Sequence, residues 1–257
     1  NIWRFPYLAA KDGGGLFLVI YIILALTFGF TLLTTEISIG RMTKQSPLTA
    51  YSKIKKGWGF MGVIACLIPM IIMPYYCVIG GWIVKYLVAF LTGDGVMASQ
   101  DGYFTNFITG DVQPILFTII FLCITAFVVF RGVEKGIESF SKIIMPLLLV
   151  LVLAIAIFSV TMKFTDAEGV TRTGLEGLKI YLIPNLEGLT VKQFFSVLLD
   201  AMGQLFFSLS VAMGIMVAYG SYVRDDANLV SSINQIEIFD TVVAILAGVM
   251  IIPAVFT

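Results

Sequence analysis

No histidine occurs in these 257 residues. That absence removes imidazole acid–base catalysis, histidine metal ligation and the ordinary Ser-His and Cys-His dyads. Charge is scarce too: 12% of the residues are charged, sixteen of each sign, for a net charge of zero. Nothing in that balance favours a nucleic-acid partner. The only cysteines, Cys66, Cys77 and Cys123, lie inside apolar runs without CxxC spacing. They read as small buried hydrophobes rather than disulfide or zinc ligands. There is no signal-peptide pattern, low-complexity tract or soluble domain.

What is abundant is apolar surface. Hydrophobic residues make up 59% of the chain and the mean hydropathy is +0.99, which points to a polytopic membrane protein whose solvent is largely lipid. A span needs about 20 mostly apolar residues, and uncharged runs occupy 13–35, 57–84, 112–130, 143–162, 201–223 and 241–257. With the opening stretch these predict an all-α protein of seven helices in one transmembrane domain, over 1–11, 15–40, 58–92, 112–131, 136–162, 193–222 and 229–257. The stretch 163–192 is expected to be an outer loop carrying short interfacial helices. The chain opens on Asn1 rather than methionine and stops while still apolar, which reads as a segment of something longer.

Loop charge sets the orientation. Arg41, Lys44, Lys53, Lys55 and Lys56 crowd one loop, Arg131 and Lys135 occupy the turn two spans later, and Arg224 follows the sixth helix. By the positive-inside rule these face the cytoplasm. The loops around Asp12, from Asp94 to Asp111 and from Lys163 to Lys192 mix both signs and face outward.

Ionisable groups inside spans are rare and cost about 2.5–3.5 kcal/mol at mid-helix, so each is a functional candidate. Asp240 stands out, at a depth of roughly 20 Å from the inner turn by helical rise, with no Lys or Arg after it in its span. It is either an ion ligand or a carboxyl bonding helix to helix. On the preceding helix Ser208 and Ser210 fall at a similar depth, roughly 24–27 Å from the same turn. Asn1 lies about 16 Å from the outer turn, again near mid-membrane. Three oxygen-bearing side chains from three helices thus converge in depth, and hard cations prefer oxygen.

Ser208, Ser210, Ala212 and Gly214 also place small residues together at mid-span. They allow a helix to unwind toward a cavity, or two helices to pack closely. Gln204 lies one turn outward of Ser208, and Phe207 flanks the same face as Ser210. On the third helix Ile72, Tyr76 and Ile79 share one face. A phenol at mid-membrane needs a partner: the face either packs on another helix or lines a ligand cavity, with Tyr75 the alternative interfacing residue.

The motifs NIWRFPYLAAKDGGG at 1–15, EISIGR at 36–41, PYYCVIGGW at 74–82, GQLFFSLSVAMG at 203–214 and SYVRDD at 221–226 together resemble the neurotransmitter:sodium symporter family and its bacterial amino-acid transporters. The resemblance runs in order over the whole chain. It implies a leucine-transporter-like fold of about twelve helices, two inverted five-helix repeats and broken helices one and six, of which this chain carries about the first seven. It implies alternating access and sodium-coupled symport of an amino acid by a multi-pass protein of the plasma (inner) membrane, with Na+ as co-transported ion, no organic cofactor and no enzyme activity.

Residue by residue, the resemblance assigns Asn1, Ser208 and Asp240 to sodium. It assigns Tyr76 to the substrate carboxylate and Ile72, Phe207, Ser208, Ser210 and Met213 to the substrate pocket. It makes Arg4, Gln204 and Phe207 gate residues, where Arg4 alone reads as an arginine snorkelling outward from about 12 Å depth. Animal members pair a chloride with a serine at the position of Ala244, and some bacterial members have a glutamate there. This chain has neither, and carries Asp240 one turn earlier, from which chloride independence is expected. Ala-Met-Gly at 212–214 puts a flexible methionine in the wall and points to hydrophobic or aromatic L-amino acids. The rival readings are a transporter-like sensor or scaffold, an ion channel, or a sodium-coupled transporter of another small amine-containing solute. An intramembrane enzyme is the weakest rival, for want of a nucleophile and base pair.

Overall fold

The structure is a computed structural model and describes residues 2–165, 169–184, 186 and 189–257. Its helices, in chain order, are α1 (Arg4–Lys11), α2 (Gly15–Leu24), α3 (Phe30–Thr43), α4 (Pro47–Ile54), α5 (Gly59–Leu91), α6 (Gly95–Ala98), α7 (Tyr103–Ile108), α8 (Gln113–Phe130), α9 (Ser139–Thr161), α10 (Gly174–Leu182), α11 (Val191–Ser208), α12 (Ile215–Tyr222) and α13 (Leu229–Phe256). A π-helical stretch, Ala25–Gly29, joins α2 to α3, and another, Val133–Glu138, leads into α9. Among the described residues five continuous helices are long and apolar enough to cross a membrane: Gly15–Thr43, Gly59–Leu91, Gln113–Phe130, Lys135–Thr161 and Leu229–Phe256. The chain divides into two compact units, one of Asn1–Cys66 with Leu147–Thr257 and one of Leu67–Pro146.

In the first unit the core grows around α1. Phe5 on α1 packs edge-on against Phe17 at 5.4 Å and Tyr21 at 4.9 Å, both on α2. All three are fully buried. The inner end of α3 packs on α12 through glycine. A Cβ on Gly40 would sit 2.0 Å from the Val217 carbonyl oxygen, and one on Gly220 would sit 2.3 Å from that of Ile37. Close backbone approach through small residues is how helices associate where lipid offers no hydrophobic drive. Gly40→Ala is therefore expected to destabilise this pair by about 1–3 kcal/mol, the usual effect of overpacking. A lowered melting temperature in detergent would show it, and an unchanged one would mean the backbones separate freely.

The loop between α9 and α11 has more structure than short helices alone. Lys163–Thr165 pairs antiparallel with Thr171–Thr173 as β1 and β2, a ribbon that the all-α expectation did not include. Two capping boxes then set helix starts: Thr173 with Glu176 opens α10, and Thr190 with Gln193 opens α11. Such boxes satisfy two otherwise orphaned N–H groups. The α10 helix lies on α13, where the Tyr181 hydroxyl donates to the Ile245 carbonyl at 3.2 Å.

At the C-terminal end of α3 the basic residues hold the turn after α12. Arg41 donates to the carbonyls of Asp225 and Ala227, and Lys44 to that of Val223 at 2.6 Å. Lys44 also pairs with the Asp225 carboxylate at 3.0 Å.

In the second unit most of α5 and all of α8 present apolar side chains outward, and α8 has no buried residue. Gly80 and Gly81 bring the helices together, since a Cβ on Gly80 would meet the Phe121 ring at 2.4 Å and one on Gly81 the Thr118 backbone nitrogen at 2.7 Å. The expectation of buried cysteines needs correcting here. Cys77 is buried, but Cys66 is half-buried and Cys123 is exposed on α8, a helix with no buried residue.

Candidate ion and solute site

The sixth helix is broken at the small residues. After Ser208 the helix stops, and it resumes only at Ile215. Between them Ser210, Ala212 and Gly214 adopt positive φ of 54°, 62° and 71°. Two of these are non-glycine residues in the left-handed region, a conformation costing about 1–3 kcal/mol each that persists only where the surroundings enforce it. One enforcing contact is explicit: the Ala212 N–H donates to Glu36 Oε1 on α3 at 2.6 Å. The alternative left open by the small residues, close packing of an intact helix, is not what forms.

At the broken end Ser208 meets Asp240 of α13. The serine hydroxyl donates to Asp240 Oδ2 at 2.5 Å, a separation typical of a charge-assisted O–H···O⁻ bond. A third group comes from α2, where the Tyr21 hydroxyl reaches the same oxygen at 3.5 Å. Two hydroxyls thus converge on one carboxylate oxygen, and fully buried Ala244 lies one turn further along α13. Tyr21 was not among the candidates. The signal was available, since it is a phenol inside an apolar run, roughly 10 Å into its helix, and the rule that a buried phenol needs a partner applies to it as to Tyr76.

Outward of this point Gln204 is fully buried. Arg4 on α1 lies over the Phe207 ring at 5.1 Å from its centroid, within cation–π range. Ser210 and Met213 are half-buried in the unwound segment. Ile72 and Tyr76 belong to the second unit, where Ile72 is half-buried and Tyr76 is 48% exposed and packs edge-on against Tyr75 at 5.9 Å. Asn1 lies outside the described residues. Among the described residues no cluster of three or more His, Cys, Asp or Glu side chains could hold a metal ion. Any cation site here would therefore use hydroxyls, a single carboxylate and backbone oxygens, a donor set suited to a weakly held hard cation.

Comparison with known proteins gives a consistent picture. The model of the sodium:neurotransmitter symporter family matches residues 1–102 and 108–256. An uncharacterized sodium-dependent transporter of Bacillus subtilis, YhdH, is 35% identical over 264 residues, covering 100% of this chain and 55% of its own length. An uncharacterized sodium-dependent transporter of Methanocaldococcus jannaschii is 32% identical over 259 residues, covering 96% of this chain and 50% of its own. The crystal structure of MhsT in complex with L-phenylalanine superposes with a TM-score of 0.86 at 34% identity, over 100% of this chain and 56% of that one. The chain spans about half the length of the relatives it matches. The fold is the leucine-transporter-like fold, the helices are those of a multi-pass membrane protein, and the chain belongs to the sodium:neurotransmitter symporter family.

Proposed function

We propose that the protein carrying this chain is a sodium-coupled symporter of a hydrophobic or aromatic L-amino acid, working by alternating access in the plasma membrane and independent of chloride. The observation that carries this reading is the meeting of Ser208, Tyr21 and Asp240 where the sixth helix is broken. Sodium would bind at Asn1, Ser208 and Asp240. The substrate carboxylate would lie at Tyr76, and its side chain among Ile72, Phe207, Ser210 and Met213, with Arg4, Gln204 and Phe207 as the outer gate. The relatives named sodium-dependent transporters and the structural relative holding L-phenylalanine support the ion and the solute class.

Coupling follows from electrostatics. Sodium beside the substrate carboxylate neutralises it where the dielectric is low, so each raises the affinity of the other reciprocally. Hinging at the unwound segment would expose the site to one side and then the other. Two hydroxyls pointing at Asp240 Oδ2 form the kind of donor pair that would hold a bound anion, and a fixed carboxylate takes that place. Uptake by the full-length protein is accordingly expected to be unchanged when gluconate replaces chloride. Abolished uptake in gluconate would overturn the chloride-independent reading. Binding is tested separately: sodium should raise the melting temperature of the detergent-solubilised protein further when L-phenylalanine or L-leucine is added. No synergy between sodium and any neutral amino acid would count against the assignment.

A further inference from the structure

The C-terminal end of α1 and the facing part of α11 carry a charged cluster outside the residues assigned to the ion site and the gate. Lys11, the last residue of α1, donates to Asp200 Oδ2 on α11 at 2.7 Å. The same ammonium lies 3.9 Å from Asp12 Oδ1 in the adjoining turn. The two carboxylates are not equivalent. Asp200 keeps 31% of its side chain exposed and takes the short bond, whereas the Asp12 side chain is only 7% exposed. Asp12 Oδ2 is buried with no hydrogen-bond partner among the described residues. Burial pushes the Asp12 carboxyl above its ordinary range, against the opposing pull of Lys11, and the facing Asp200 carboxylate adds to the upward push. A buried acceptor left unpaired is costly, and the ammonium 3.9 Å from the other oxygen of that carboxylate is engaged by Asp200.

We propose that Lys11 is a two-position latch, which clamps the outer halves of the first and sixth helices together when bound to Asp200 and releases them when it swings to Asp12. The geometry supplies what a bistable element needs: one donor and two competing acceptors, one across the helix interface and one within its own turn. Asp200 lies two turns outward of Phe207, and Lys11 two turns outward of Arg4, so the latch sits on the faces that carry the Arg4–Phe207 contact. The latch rests on the alternating-access reading only for its purpose, and its existence is measurable without transport.

The test is hydrogen–deuterium exchange on the full-length protein, comparing α11 with α13. Asp200→Asn removes the clamped partner and is expected to speed exchange in α11 about two- to fivefold, the range for a partly exposed ion pair. Asp12→Asn removes the released partner and is expected to slow it by a similar factor. Exchanging the charges, with Lys11→Asp and Asp200→Lys together, should return α11 toward the wild-type rate. Opposite signs for the two carboxylate variants support the latch. The same sign in both, no change in either, failure of the exchanged pair to recover, or a uniform rise across α11 and α13 overturns it.

Discussion

Asp240→Ala is expected to abolish sodium-dependent uptake, and Asp240→Asn to weaken the apparent sodium affinity by about 10²- to 10³-fold. The estimate follows from the surroundings of the carboxylate. A hydrogen bond to a charged group contributes about 1.5–3 kcal/mol, and the groups left behind have lost their partner. Here these are the Ser208 hydroxyl at 2.5 Å and the Tyr21 hydroxyl at 3.5 Å. Asparagine keeps an oxygen for one of these hydroxyls but removes the negative charge that would balance a cation in low dielectric. Sodium titration of uptake, or of ligand-induced stabilisation, measures the shift. Unchanged sodium dependence in Asp240→Asn would mean that the carboxylate only ties α13 to α11. Tyr21→Phe separates the two roles further: it removes one donor while leaving the charge, so its effect should be far smaller than that of Asp240→Asn.

The second large effect is expected at Glu36. This side chain is 9% exposed, and its Oε1 accepts the Ala212 N–H at the centre of the unwound segment. Glu36→Leu would leave that N–H without its acceptor, a loss of about 1–3 kcal/mol for a buried donor and more for a charge-assisted bond. It would also release the constraint that holds Ser210 and Ala212 at positive φ. A segment freed of its left-handed residues relaxes toward regular helix, which moves Ser208 and Ser210 relative to Asp240. Transport is therefore expected to fall by at least about 10²-fold, with only a modest drop in melting temperature. Glu36→Gln, which keeps an oxygen in place, should retain substantially more activity. Equal loss in both variants would show that the charge rather than the acceptor matters.

The meeting of Ser208 with Asp240 was readable from depth. Counting helical rise from the inner turn brought Ser208 and Asp240 to one level before any coordinates, and they meet at 2.5 Å because equal depth on adjacent antiparallel helices leaves only rotation undecided. Rotation was constrained in turn, since a carboxylate at mid-membrane must face protein rather than lipid. From the small residues alone the break of the sixth helix was legible only as an alternative, because they serve unwinding and close packing alike; the family resemblance is what implied it. What decides between them is Glu36, 176 residues away in sequence, and no local pattern reveals a partner at that range.

Tyr21 was missed for a related reason. It sits in an uninterrupted apolar run, and hydropathy counts a tyrosine there as one more large side chain. The π-helical stretch at Ala25–Gly29 and the β1–β2 ribbon were not legible either. The first is a shift of hydrogen-bond register inside a run without Pro or charge, and the second is two three-residue strands whose pairing depends on the helices they connect.

The most direct test of the central claim is concentrative uptake by the full-length wild-type protein in proteoliposomes, driven only by an inward sodium gradient. Radiolabelled L-phenylalanine and L-leucine serve as solutes, with potassium replacing sodium in the control and gluconate as the only anion. Accumulation above the external concentration that collapses when a sodium ionophore dissipates the gradient, and that is lost in Asp240→Ala, is the expected result. Uptake that merely equilibrates, or that proceeds equally in potassium, would contradict sodium-coupled symport through the Ser208–Asp240 site.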